Sequence, residues 1–480
     1  MRPEQASILE TRFGIEALYP MQQQVIDRLN AGGHALVVMP TGSGKSLCYQ
    51  LPASASESGV CLVFSPLIAL MEDQVTTLKA LGIRAEFVNS TVRRAERERR
   101  YAALAGGEYA LLYATPERMQ KPAFREALDA TPGGVSLLAV DEAHCITQWG
   151  HDFRPAYQEV GRFRRELGEP RTIALTATAT PLVREDIRRT LGLSHAEMPL
   201  FATPIERPNL DIRATDVWSD DDKINAIIST RERWRDRGGG VGIVYFALIK
   251  HLEAFADRIR SHADDADIEI YHGRLDAREK KRVYDRFISA RPEENLLLLA
   301  TNAFGMGVDK PDIRYIVHAQ TPGSVESYAQ ELGRAGRDGE PAECLLLLAQ
   351  DDLAIQQQFV EWSNPSADLL MQAAHALERE SAHDFGVDDL RDWIIHRNRG
   401  DRRAEYALIT LEKLGVVEET SITDRYRFVR PLKDEEIEPE LIAAKRQRDL
   451  ERLLHMLQTA RADDVAGAVN AYFALDADAE

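Results

Sequence analysis

The chain has 480 residues, 44% of them hydrophobic and 28% charged, which gives room for two or three domains and apolar side chains for several cores. This composition excludes a lone small module and a chain that is mostly disordered. A net charge of −18 excludes a uniformly basic nucleic-acid binder, so any path for a polyanion must be locally basic.

The amino-terminal MRPEQASILE lacks the apolar core of a secretory signal, and no later apolar run reaches the length of a bilayer span. A soluble, cytoplasmic protein without membrane contact is expected. From Gly33, HALVV reads as a short buried strand, MPTGSGKS as a Gly-rich turn and LCYQLPA as the start of a helix. GVCLVFSP, YALLYATP, VSLLAVDE and RTIALTAT read as further buried strands separated by helix-length amphipathic stretches. This alternation predicts a doubly wound parallel sheet with functional loops at the strand carboxyl ends. TPIERPNLDIRATDVWSDDDK, Thr203 to Lys223, interrupts it and is the expected domain junction. GIVYFA, IEIYH, NLLLLAT, IRYIVHA and AECLLLLA then repeat the architecture without a second Gly-rich turn.

Beyond Gln350 the strands give way to helical patterning. Ala404, Ala407, Leu408, Leu411 and Leu414 recur at helical spacing, Gly415 provides a stop, and VVEETSITDRYRFVRPL reads as a hairpin, so a helical or winged-helix module is expected. The expected boundaries are 1–205, 206–350, 351–435 and a helical tail at 436–480. Of three basic runs, RRAERERR and REKKRVYDR mix signs as solvated helix faces do, whereas HRNRGDRR is the better candidate for nucleic-acid contact. Cys48, Cys61, Cys145 and Cys344 form no CxxC pair, so neither a disulfide scaffold nor a zinc site is expected.

In MPTGSGKS, glycines let backbone amides turn inward around phosphate oxygens and Lys45 can reach the outer phosphates. The nucleotide site is thus expected at Thr41, Gly42, Ser43, Gly44, Lys45 and Ser46, with Ser46 on a magnesium ion, although Met39 stands where the general pattern has its first glycine. LLAVDEAH delivers two adjacent carboxylates at a strand end. Asp141 is suited to the magnesium ion and Glu142 to activating the water that attacks the terminal phosphate. In QELGRAGRDG, Arg334 and Arg337 are expected on one helix face, where they can stabilise charge on the transferred phosphoryl group.

The order of these motifs from about Phe13 to Leu348 resembles that of superfamily-two helicases. The resemblance implies two tandem RecA-like domains with ATP and magnesium between them. It also implies that Gln22 reads adenine and that SPLIALMEDQV, TPERM and ATNAFGMGVDKPDIRYIVH face DNA or nucleotide. HCITQWGHDFRPAY after Glu142 is similar to the aromatic-rich loop of RecQ helicases. There Trp149, Phe153 and Tyr157 offer faces on which bases can stack, with Arg154 as a nearby cation. The RecQ resemblance implies 3′-to-5′ movement on single-stranded DNA, unwinding of tailed or forked duplex, and a role in repair or recombination.

Two features depart from that pattern. No cysteine follows Cys344, so the family's four-cysteine zinc domain is expected to be missing or zinc-free, and Tyr19 stands where a basic residue is usual near the adenine. Without the zinc domain, strand separation falls to the hairpin, with Arg425 and Tyr426 as its candidates, or the protein translocates with weak unwinding. An RNA helicase and an inactive DNA-binding scaffold are the rival readings.

Overall fold

The computed structural model describes the chain except residues 41, 67, 148–154, 204–206, 262–266, 306–307, 309, 395–400, 421–424 and 475–480. The first sheet contains β1 (Ala35–Val38), β2 (Val60–Phe64), β3 (Ala85–Val88), β4 (Leu111–Ala114), β5 (Val135–Val140), β6 (Arg171–Thr176) and β7 (Leu200–Ala202). Its order is β3-β4-β2-β5-β6-β1-β7, and every pair is parallel. Both faces are covered, so alternate residues of one strand enter different cores: Leu36 and Val38 on one side, Ala35 and Val37 on the other. That is why the strands read as continuous apolar runs.

The second sheet contains β8 (Leu210–Asp216), β9 (Val241–Phe246), β10 (Ile268–Tyr271), β11 (Leu297–Thr301), β12 (Ile313–His318) and β13 (Ala342–Leu348), in the order β10-β11-β9-β12-β13-β8. The pairs from β10 to β13 are parallel. The two doubly wound sheets match the fold expected from the sequence. Within the stretch expected to be the junction, Leu210–Asp216 is an edge strand of the second sheet. Its alternating burial hides it from a search for solid apolar runs.

The chain packs as two compact units. The first contains both sheets and also the late helix Val465–Tyr472. The second contains helices Ala367–Arg379, Val387–Ile394 and Arg403–Lys413 and an antiparallel hairpin of β14 (Val417–Glu419) and β15 (Tyr426–Phe428). Phe385 adds an antiparallel bridge to Tyr426, so the module runs helix, bridge, helix, helix, hairpin in chain order. Ala404, Ala407, Leu408 and Leu411 are buried in its core, and Gly415 ends their helix at φ 69°. No helix among the described residues is long and apolar enough to cross a membrane.

One close approach fixes the packing beside the first sheet. Gly161, in helix Val160–Glu166, lies so near Thr190 that a Cβ would overlap the Thr190 carbonyl oxygen. Gly161→Ala should destabilise the protein by about 2–3 kcal/mol, because backbone rather than a flexible side chain must move. Urea unfolding measures this, and a loss below about 0.5 kcal/mol would show that the two helices separate freely.

Candidate active site

Three motifs far apart in sequence meet at one edge of the first sheet, because β5, β6 and β1 are adjacent and parallel. Their carboxyl ends carry Asp141 and Glu142, the ALTATAT turn and the Gly-rich turn, in that order across the sheet. Thr41 lies outside the described residues. Gly42 and Gly44 have φ of 81° and 73°, a left-handed conformation that side chains with a Cβ rarely adopt, and helix Leu47–Ser54 begins directly after Ser46. Successive amides before a helix start make the concave donor surface that phosphate requires.

Lys45 lies along the floor of this turn, its Nζ donating to the carbonyls of Met39 (2.9 Å) and Pro40 (3.1 Å). Burial pulls the ammonium below the ordinary lysine value, against the opposing pull of Glu142 and Asp141. Met39 is 2% exposed, so its side chain belongs to the core and only its carbonyl serves the turn. Gln22 is buried; its Nε2 donates to the carbonyls of Ser43 (3.1 Å) and Gly44 (3.2 Å), while its Oε1 accepts from the Tyr19 amide. The side chain expected at the adenine is therefore also bonded to the phosphate turn. The Tyr19 ring beside it is 68% exposed.

Asp141 is buried at the end of β5. Burial, and next the neighbouring Glu142 charge, push its carboxyl up to about 7, with Lys45 acting the other way. A raised carboxyl binds its proton more tightly in the folded than in the unfolded chain, so ionisation costs stability as pH rises from the ordinary carboxylate range to about 7. Asp141→Asn removes that cost. It should raise the melting temperature of the nucleotide-free protein more at pH 8 than at pH 5, a differential on the order of 2 kcal/mol, and equal shifts at both pH values would contradict the raised pKa.

Glu142 is one of few non-glycine residues with positive φ (φ 48°, ψ 48°), strain of the kind that functional turns carry. Its amide donates to Asp141 Oδ1 (3.0 Å) and its Oε2 lies 3.3 Å from His144 Nδ1. The same His144 nitrogen is 2.9 Å from Thr176 Oγ1, which also bonds the Thr178 carbonyl. A buried chain thus links the water-activating candidate to the ALTATAT turn. His144 lies within the LLAVDEAH motif, where nothing in the sequence signalled this role.

Of the aromatic-loop residues, Trp149, Phe153 and Arg154 lie outside the described residues. Tyr157 departs from its expected role. It is fully buried, and its hydroxyl donates to the Asp141 carbonyl (3.3 Å), so no base can stack on it. At the other end of the segment, Thr147 Oγ1 donates to Asp186 (2.7 Å) of helix Pro181–Leu191, which follows the ALTATAT turn. Tyr157→Phe should cost about 1 kcal/mol of stability and reduce any DNA-stimulated turnover without weakening affinity for single-stranded DNA. Reduced affinity instead would return Tyr157 to a direct DNA role.

In the second sheet's domain, Arg334 and Arg337 do not lie on a helix. Helix Val325–Leu332 ends before them, and Gly333 and Gly336 carry the chain into turns. They converge nevertheless. Arg334, 3% exposed, donates to the Gly305 carbonyl, and Arg337 Nη1 donates to the Val308 carbonyl (2.8 Å). The Arg337 stem also faces the phosphate turn, since a Cβ on Gly42 would lie 3.2 Å from its Cδ. Arg207 and Asn209, unnoticed in the sequence, hold this turn by donating to the carbonyls of Ala335, Gly336 and Glu340.

The two basic runs of mixed sign are ion-paired along exposed helices. Arg94, Arg99 and Arg100 pair with Glu98, Glu96 and Glu86, and Lys281, Arg282 and Arg286 pair with Asp285, Glu269 and Glu294. In HRNRGDRR the described arginines are also engaged, Arg402 with Glu405 and Arg403 with Asp401. Arg425 pairs with Asp389, and Tyr426, stacked on Phe385, belongs to the module's core rather than standing free as a wedge. The four cysteines are buried and free.

Comparison with known proteins places this geometry. Residues 19–186 match the DEAD/DEAH box helicase family and residues 222–339 the helicase conserved C-terminal domain. RecS of Bacillus subtilis (strain 168), named a probable ATP-dependent DNA helicase, is 38% identical over 393 residues, 82% of this chain and 76% of that protein. The ATP-dependent DNA helicase RecQ of the same organism is 40% identical over 359 residues, 74% of this chain but 58% of that protein. Among solved structures, the DUF1998 helicase MrfA bound to DNA superposes with a TM-score of 0.60 at 17% identity, over 90% of this chain and 63% of that one, a likeness of fold.

Proposed function

Because the chain belongs to the RecQ family of ATP-dependent DNA helicases, we propose that it hydrolyses ATP to move 3′ to 5′ along single-stranded DNA and to separate tailed or forked duplex. Its proposed setting is the cytoplasm, in repair or recombination. The observation that carries the reading is the convergence of Lys45, Asp141 and Glu142 at the carboxyl ends of β1 and β5, which flank β6, with Arg337 against Gly42.

In this reading residues 1–205 and 206–350 are the two motor domains, 351–435 an accessory module and 436–480 a tail. The amides of Gly42 to Ser46 and the Lys45 ammonium hold the phosphates, and Gln22 reads the adenine. Ser46 and Asp141, a hydroxyl at a helix start and a buried carboxylate at a strand end, fit the donor set for magnesium. That ion supplies charge neutralisation to the β- and γ-phosphates. Glu142 takes the proton of the attacking water, and Arg334 and Arg337 stabilise charge on the transferred group. Trp149, Phe153 and Arg154 are the proposed DNA contacts, and Tyr157 passes their occupancy to the backbone of Asp141.

The test is ATP hydrolysis by the full chain alone, with single-stranded DNA and with RNA of the same length, beside strand separation of a 3′-tailed duplex. DNA-specific stimulation with unwinding is expected. Stimulation by RNA would make the protein an RNA helicase, and absence of any stimulated turnover would leave a binding scaffold. A second reading, translocation with weak unwinding, is favoured by Tyr426 being packed in its module's core, and stimulation without strand separation would establish it.

A further inference from the structure

Helix Val465–Tyr472 has no part in the activity proposed above, yet it packs on both motor domains within one compact unit. Val465, Val469 and Phe473 are buried. On the first domain, the fully buried Arg184 of helix Pro181–Leu191 donates Nη2 to the carbonyls of Phe473 (2.9 Å) and Ala474 (3.1 Å), and Nε to Ala179 at the ALTATAT turn (3.0 Å). On the second, the Tyr472 hydroxyl donates to the buried Glu326 (2.8 Å) of helix Val325–Leu332, which leads into the arginine turn. Ala466 and Val469 face Pro40, Thr178 and Gly333 across a cavity of about 50 Å³, so one helix turn adjoins the phosphate turn, the ALTATAT turn and the arginine segment together.

From this placement we infer that the C-terminal helix is an intramolecular strap that holds the two motor domains in a resting arrangement and restrains ATP turnover in the absence of DNA. In the arrangement that it spans, the groups needed for turnover are bonded to the protein's own carbonyls: Lys45 to Met39 and Pro40, Arg334 to Gly305, and Arg337 to Val308. A cleft that closes on nucleotide must shift one domain against the other, and a helix bonded to both resists that shift. The anchor also has a route to the DNA side. Asp186, two residues from Arg184 on the same helix, holds Thr147 at the base of the proposed DNA-contacting segment, so a movement there loads the residue that grips the strap.

The strap rests on the helicase reading for its consequence but not for its mechanics, and the experiment separates the two. The 480-residue wild type, Val469→Asp, which places a charge in the buried niche, and Tyr472→Phe, which removes the hydroxyl bonded to Glu326, are compared. ATP turnover is measured with and without single-stranded DNA, with small-angle scattering and melting temperature alongside. Val469→Asp should raise DNA-independent turnover about fivefold, the lower end of ordinary coupling between sites, so that stimulation by DNA shrinks, and should broaden the scattering profile. Tyr472→Phe should move both in the same direction by less. Unchanged or reduced basal turnover in a folded Val469→Asp protein overturns the strap, and if that variant does not fold, Tyr472→Phe decides on the same criterion. Should wild type show no DNA-stimulated turnover, the helicase reading fails, and scattering alone judges the strap: an expanded variant sustains it and an identical profile overturns it.

Discussion

Glu142→Gln should leave nucleotide binding intact and lower ATP turnover by about 10²- to 10⁴-fold, the contribution that a positioned general base makes. The substitution keeps the shape of the side chain and its oxygen near His144, and it leaves untouched the amide bond to Asp141 that fixes the left-handed turn. What it removes is the capacity to accept a proton. The groups proposed to hold ATP stand on a different strand, β1, and on helix Pro20–Asn30, so affinity should stay within about a factor of two or three while kcat falls. Fluorescent-nucleotide titration beside steady-state hydrolysis measures both quantities. Near-normal turnover would remove Glu142 from the role of base, and a parallel loss of binding would mean that the strained turn had collapsed.

How much of this was legible in the sequence depended on whether a signal was local. The buried strands of the first sheet stood out because covering on both faces makes them solid apolar runs, whereas β3, β7 and β8 are short or lie at sheet edges and show weaker patterns. The Gly-rich turn was readable despite Met39 because its chemistry depends on backbone amides and Lys45, and the side chain of Met39 faces the core. Tyr157 was misread for a different reason. Spacing among aromatics cannot tell a ring turned outward from one turned beneath Asp141, since one side-chain direction decides it. Arg334 and Arg337 were rightly grouped but wrongly placed on a helix, because Gly333 and Gly336 cost helix stability that three-residue spacing ignores. The contacts of Arg184 with Phe473 and Ala474 join positions almost 300 residues apart, and no pattern within a window could reveal them.

Arg337→Ala should lower kcat by about 10²- to 10³-fold with little change in the KM for ATP, because an arginine acting on charge that develops during transfer is worth little to ground-state binding. The two arginines should separate in this experiment. Arg337 is half-buried, already faces Gly42, and its truncation leaves the Val308 and Gly333 carbonyls without its donors. Arg334 is almost wholly buried and bonded to Gly305, so Arg334→Ala should also destabilise the fold by about 1–3 kcal/mol through an unsatisfied carbonyl and an emptied niche. Arg337→Lys should not restore turnover, since an ammonium keeps the charge but lacks the planar fork that meets two phosphoryl oxygens at once. If Arg337→Ala turned over ATP normally while Arg334→Ala did not, the charge-stabilising role would pass to Arg334, and Arg337 would be left as a support for the Val308 segment.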